Sequence, residues 1–157
     1  MHVIYAQQPL PKAIFLAGPT PRDKTIPSWR TSAIELLRNT LQFTGSVYVP
    51  ESLDKEIDFN KTAQIRWEWE ALNIATVIVF WIPRDLETLP GFTTNVEFGL
   101  TSTSSKCVLG FPPHTPKVTY LAELASRYQI PVFHDLETTL AAAVEKTAFP
   151  FAHATEL

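Results

Sequence analysis

Two glutamates stand out for their surroundings. The stretch from Lys61 to Ala75 reads as a helix. At about 100° per residue, its Ile65, Trp69 and Leu72 define one apolar face. Glu68 falls near the middle of that face, while Glu70 points the opposite way. A carboxylate on a buried stripe is costly unless something answers its charge. Two readings fit: an ion pair to a core-edge arginine, Arg66 or Arg30, or a carboxyl aimed into a cleft with its pKa raised. The second glutamate is Glu97, in Thr93-Thr94-Asn95-Val96-Glu97-Phe98-Gly99, early in another helix. There Val96, Gly99, Leu100 and Thr103 are expected to form the inner face, with Glu97 flanking it. Gly99 costs about 1 kcal/mol in a helix interior relative to alanine, which points to close packing against the sheet or a ligand. The nearby helix N-terminus would favour the ionised form of Glu97 and so suit a nucleophile. By spacing alone, an ordinary favourable first-turn glutamate is the better reading.

A third candidate is the loop Ala17-Gly18-Pro19-Thr20-Pro21-Arg22-Asp23, directly after an apolar run. Gly18 would let a ligand approach the backbone, and Thr20 and Arg22 can donate hydrogen bonds to hydroxyls or phosphate. A tight turn explains the glycine as well. Trp29, Trp67, Trp81, Phe92 and Tyr48 are candidates to stack on a planar ligand, with core packing the competing reading.

The elements that must position these residues follow from the apolar pattern. Runs at 13–17 (AIFLA), 46–49 (SVYV), 77–81 (VIVFW), 107–110 (CVLG) and 132–134 (VFH) read as short buried strands. Helical segments at 28–42, 61–75, 94–104, 117–128 and 136–146 separate them, with Ser28 and Asp135 as N-caps of the first and last. This βα alternation with right-handed crossovers predicts a three-layer αβα sandwich. Its five-stranded parallel sheet would take the flavodoxin-like order 2-1-3-4-5. Many of the prolines, among them Pro19, Pro50 and Pro90, fall in loops after the first four strands. Those loops crown the carboxyl edge, where open α/β sheets bind ligands at the switch between strands 1 and 3.

With 157 residues, 45% of them hydrophobic, and a net charge of −3, the chain reads as one domain over residues 1–157 with a real core. The acidic balance and lack of a basic run argue against a nucleic-acid polymer as partner. The longest apolar stretch is far short of the ~20 residues that span a bilayer, and the start lacks signal-peptide character. A cytoplasmic protein with no membrane partner is expected. One cysteine and four scattered histidines offer no metal motif. The five glycines form neither a dinucleotide fingerprint nor a P-loop, so no cofactor is expected.

Three blocks together resemble the nucleoside 2-deoxyribosyltransferase-like family: IFLAGPTPR (14–22), WEWEALNIATVIVFWIP (67–83) and GFTTNVEFG (91–99). The resemblance implies that Glu97, in the family's E-x-G motif with Gly99, attacks the anomeric carbon of a 2-deoxyribosyl sugar. It also implies that Glu68 contacts the sugar or assists the base. The substrate would be a small nucleoside or its 5′-monophosphate, and the enzyme a transferase or hydrolase working through a covalent glycosyl–glutamate. Two nearby carboxyls, as in retaining glycosidases, give that chemistry a physical basis. Gly18, Thr20, Arg22, Trp67, Phe92, Thr93, Thr94 and Asn95 are the implied substrate-binding set. The turn Gly91–Asn95 departs from the small-residue turn of relatives, which often carry Asp or Ser where Gly91 stands. Relatives assemble into dimers or larger, so a homo-oligomer is expected. The alternative from another class is an inactive nucleotide-binding sensor or interaction module of the same fold.

At the substrate's 5′ end, Asp23 beside Arg22 is expected to neutralise it, with Lys24 restoring some charge. A net-acidic loop (Glu51, Asp54, Glu56, Asp58) adds to this. On that basis free deoxynucleosides are expected to be preferred over monophosphates.

Overall fold

A computed structural model of the chain describes residues 1–6, 13–23, 25–52 and 61–148; Lys24, Asp54, Glu56 and Asp58 lie outside the described residues. The element order is β1 (His2–Tyr5), β2 (Ile14–Ala17), α1 (Trp29–Glu35), a π-helical turn (Leu36–Thr40), β3 (Ser46–Val49), α2 (Lys61–Ile74) and β4 (Val77–Trp81). It continues with α3 (Phe92–Thr101), β5 (Cys107–Gly110), α4 (Thr119–Arg127), β6 (Val132–Phe133) and α5 (Leu136–Ala148).

The strands form one parallel sheet in the order β1-β3-β2-β4-β5-β6. The five predicted strands keep their flavodoxin-like order. The correction is a sixth strand, β1, paired in parallel with β3 at the edge (Val3 opposite Val47). Its sequence, HVIY, is only partly buried, so it lacks the solid apolar run that marks the inner strands. In β2 and β4 every residue is buried, as two-sided coverage demands.

The alternating sides of the strands feed two cores. One joins Phe15, Ala17, Tyr48, Ile78 and Phe80 to Trp67, Ala71 and Leu72 of α2, Phe98 of α3, and Leu121 and Ala125 of α4. The other joins Ile14, Leu16, Val47, Val77 and Val79 to Ala33 of α1, Leu37, and Leu140 and Ala143 of α5. Helices α2, α3 and α4 therefore cover one face, and α1 and α5 the other. Ser28 caps α1 by accepting from the Arg30 backbone N–H at 3.2 Å, and Asp135 caps α5 by accepting from Thr138 N–H at 2.8 Å. The connection leaving β2 runs to one face and those flanking β4 to the other, which opens a crevice above the carboxyl ends of β2 and β4.

Two helix faces differ from expectation. On α2 the buried side carries Trp67, Ala71 and Leu72 with Gln64 and Glu68 partly buried, whereas Ile65 and Trp69 are exposed. On α3 the inner side carries Thr94, Phe98 and Ser102, with Glu97 on its flank; Val96, Gly99, Leu100 and Thr103 face outward. A Cβ added at Gly99 would meet nothing within 4 Å, so close packing is not why that glycine is there. Each helix buries a narrow apolar stripe in the core with its glutamate at the stripe's edge beside the crevice, and leaves further large apolar residues on the outside.

Candidate active site

The crevice holds a cleft of about 230 Å³ whose walls come from five places. The loop after β2 supplies Gly18, Pro19, Thr20 and Arg22; the end of β3 supplies Pro50. The loop after β4 and the start of α3 supply Pro90, Gly91, Phe92, Thr93 and Glu97, while α2 and α1 supply Glu68 and Arg30. Two glycines shape it. At Gly18 a Cβ would collide with the Trp81 carbonyl and the Trp29 ring, so only glycine lets the chain turn there. Gly91, with φ of 64°, is left-handed and opens α3 with no side-chain cap. The first N–H groups of α3 are thus left without a capping side chain beside the cleft.

Glu68 and Glu97 converge on this cleft. Glu68 accepts from Gln64 Nε2 at 2.5 Å, one helical turn away, and Gln64 also donates to the Pro50 carbonyl at 3.3 Å. Neither Arg66 nor Arg30 pairs with Glu68. Burial raises its pKa, and the Gln64 hydrogen bond and the charge of Arg30 offset this in part. Glu97 is the sixth residue of α3, beyond the reach of the helix terminus. It is not held ionised as the sequence implied. Burial, then the charge of Glu68, push its pKa up to about 7, against the opposing pull of Arg30.

Arg30 is the functional residue that sequence reasoning named only as a possible partner of Glu68. It is 1% exposed. Its Nε donates to Leu16 O at 3.0 Å and its Nη2 to Gly18 O at 2.7 Å. Its Nη1 donates to Thr20 Oγ1 at 3.2 Å and to Glu51 Oε1 at 2.6 Å. Glu51, read from the sequence only as part of an acidic loop, is its ion-pair partner, and Gln64 is the residue sequence reasoning passed over. The i, i+4 spacing of Gln64 and Glu68 could have revealed that pair. Nothing local could have revealed a guanidinium whose partners are mainly carbonyls of a distant loop.

Of the substrate-binding set, the structure gathers Gly18, Thr20, Arg22, Phe92 and Thr93 around the cleft. It does not bring Trp67, Thr94 or Asn95 there. Trp67 packs in the core edge-on to Tyr48, with ring centroids 6.1 Å apart. Thr94 is buried beneath α3, and Asn95 lies on the flank of α3 away from Glu97, bonded to Arg84. Among the aromatic candidates only Phe92 lines the cleft, 69% exposed, with the Arg22 guanidinium 5.6 Å from its ring centroid. Asp23 does not pair with Arg22: its carboxylate accepts from Thr25 N–H at 2.8 Å, and the one ion pair among the described residues joins Arg30 to Glu51.

A parallel αβα domain with two desolvated glutamates at its switch-point crevice defines a class of carboxylate-armed α/β proteins. The sequence profile of the nucleoside 2-deoxyribosyltransferase like family matches residues 11–115, about two thirds of the chain, and the chain belongs to that family. No curated protein matches it. Among the described residues no helix is long and apolar enough to cross a membrane, and no three His, Cys, Asp or Glu side chains gather where they could hold a metal ion.

Proposed function

We propose that the chain is an enzyme that breaks the N-glycosidic bond of 2-deoxyribonucleosides or their 5′-monophosphates and passes the sugar to a second base or to water. The observation that carries this reading is the convergence of Glu97 and Glu68 on one desolvated cleft. In the reactive form the pair shares one proton, with Glu97 ionised. The Glu97 carboxylate attacks C1′ and forms a glycosyl ester as the C1′–N bond breaks. Glu68 hands its proton to the departing base nitrogen and recovers one when the acceptor attacks, the two-step logic of retaining glycosidases. Thr20 and Thr93 hydroxyls line the sugar's side of the cleft, and the exposed face of Phe92 suits the base.

A homo-oligomer is part of the same proposal. Ile65 and Trp69 on α2 and Phe92, Val96 and Leu100 on α3 leave large apolar surface in water, and α3 carries no charge apart from Glu97. A second copy of this chain suits such an uncharged face. Sedimentation of Val96→Glu/Leu100→Glu should show a smaller species than the unaltered chain.

The activity is tested by incubating the protein with a panel of deoxynucleosides and their 5′-monophosphates and following free base, with and without a second base as acceptor. Binding without release of base across the panel would favour the sensor reading instead.

A further inference from the structure

The guanidinium of Arg30 occupies a place that a simple loop staple would not need. Its fork reaches the end of β2 and the loop that follows: the carbonyls of Leu16 and Gly18 and the hydroxyl of Thr20. Trp29 reinforces the same loop from Nε1, donating to Pro19 O at 3.0 Å, with its ring 4.7 Å from the guanidinium. Glu51 closes the arrangement. Its Oε1 accepts from Arg30 Nη1 at 2.6 Å and from Ser28 Oγ at 2.8 Å. Ser28 Oγ in turn accepts from the Arg30 backbone N–H.

A buried ion pair is seldom kept for stability, since well-packed apolar residues usually serve as well. Here the cation also lines the cleft that holds Glu97 and Glu68. The charged groups facing Glu97 are Glu68 from α2, Arg30 from α1 and Arg22 from the loop after β2, with Glu51 behind Arg30. An uncompensated guanidinium in that position would lower the proton affinity of both cleft carboxyls, and Glu68 must carry a proton to give one to a leaving base. Glu51 takes up part of that charge.

We infer that Arg30 and Glu51 are positioning residues of the glycosidic site: the fork of Arg30 builds the ligand-facing loop at Gly18–Thr20, and Glu51 offsets part of the guanidinium charge that acts on Glu97. This rests on the proposed chemistry of Glu97, but its central test does not depend on turnover. The experiment is carbon-13 NMR titration of the glutamate side-chain carboxyls, with the pH profile of kcat/KM beside it.

Glu51→Gln keeps an acceptor on Arg30 and removes the negative charge. The Glu97 titration should then move about one pH unit downward, a tenfold change in its proton affinity, and the acid limb of the rate profile should move with it. Arg30→Lys keeps the charge and loses the fork. It should leave the Glu97 titration in place and cut kcat/KM at least tenfold at temperatures where the variant is folded. An unmoved Glu97 titration in folded Glu51→Gln, or full turnover in folded Arg30→Lys, overturns the inference. Should Glu51→Gln not fold, the neutral pair Arg30→Met/Glu51→Leu replaces it. Since Glu51 offsets part of the guanidinium's pull, the Glu97 titration should move upward less in this pair than in Arg30→Met alone, and an equal upward move overturns the proposal. If no glycosidic activity exists at all, the function reading falls while the titration still decides the charge relationship.

Discussion

Arg84 donates from Nη2 to the side-chain oxygen of Asn95 at 2.5 Å and from Nη1 to the carbonyl of Lys117 at 2.7 Å, yet no carboxylate among the described residues answers its charge. The side chain is 6% exposed, and its Nε has no partner. Asn95 sits in the opening turns of α3, so this arginine ties the helix that carries Glu97 to the loop before α4. A buried cation with only neutral acceptors is an unfinished interaction.

Asn95→Asp should complete it. The hydrogen bond becomes charge-assisted, and the added anion falls near the N-terminus of α3, where it is favoured. The gain should be about 1 kcal/mol, or roughly 2–4 °C in Tm for a chain of this size. Thermal unfolding at two pH values checks it. The new carboxyl has a depressed pKa in the fold, so the gain should be present at pH 7 and lost as the pH falls through that value. No gain at pH 7 would show that the two groups cannot close on each other.

Glu97→Gln should abolish release of base and leave the fold intact, because the amide keeps the shape and loses the attacking anion. It should also change the pH dependence of stability. The folded-state pKa is about 7 against an ordinary 4.5, so between those values the native state binds more protons than the unfolded one. Unaltered protein therefore loses stability as pH rises through that window, to a cost of about 3 kcal/mol once Glu97 is ionised. Urea unfolding should find Glu97→Gln the more stable protein at pH 8 and nearly equal to it at pH 5. The same titration predicts that kcat/KM climbs from pH 5 to about 7. Normal turnover in folded Glu97→Gln would remove the nucleophile assignment.

For Glu68→Ala, activity should drop by about a hundredfold or more, the usual scale for a lost general acid. Stability should hold or rise, since burial raises the pKa of this carboxyl and its one hydrogen bond among the described residues is to Gln64, which keeps the Pro50 carbonyl. A loss of several kcal/mol on thermal denaturation would instead make Glu68 a structural member of the core edge.

The inner strands are legible because AIFLA and VIVFW are solid apolar runs that only two covering helical layers tolerate. The two glutamates are less so: Glu97 stands out through the blocks that resemble the family, since by spacing it reads as an ordinary first-turn glutamate, and the apolar stripe that singles out Glu68 includes Ile65 and Trp69, which are exposed. Helix faces were harder. Assigning Ile65, Trp69, Val96 and Leu100 to the interior follows the ordinary rule, and it fails here because those residues face away from the sheet. β1 was missed because an edge strand of four residues, one of them fully buried, carries no such run. Arg30 escaped because its partners are backbone carbonyls some 12 to 14 residues away, which no side-chain pattern records.

Tyr48 offers a test of the core itself. It is fully buried, edge-on to Trp67, and its hydroxyl has no hydrogen-bond partner among the described residues. Burial, reinforced by the charge of Glu70, pushes its pKa up to about 12, so the phenol stays neutral. An unpaired buried hydroxyl costs free energy that phenylalanine would not incur. Tyr48→Phe should therefore be as stable as the unaltered chain or up to about 1 kcal/mol more stable in urea unfolding. A clear loss of stability would reveal a partner for the hydroxyl.

The substrate's 5′ end is where the structure most changes the expectation. A preference for free deoxynucleosides follows from neutralisation of Arg22 by Asp23 and from the acidic loop of Glu51, Asp54, Glu56 and Asp58, of which the last three lie outside the described residues. Asp23 is instead turned to Thr25, and Glu51 is engaged by Arg30. Arg22 keeps its charge at the mouth of the cleft above Phe92, near the uncapped start of α3 and the hydroxyls of Thr20 and Thr93. Charge-assisted donors beside free helix N–H groups favour a phosphate dianion. The 5′-monophosphate should therefore show kcat/KM at least tenfold above its nucleoside, worth about 1.4 kcal/mol in the transition state. Arg22→Gln should erase most of that ratio, lowering kcat/KM for the monophosphate far more than for the nucleoside. Equal or better turnover of the free nucleoside by the unaltered protein would return the 5′ end to the neutral reading and leave Arg22 as a partner of Phe92 alone.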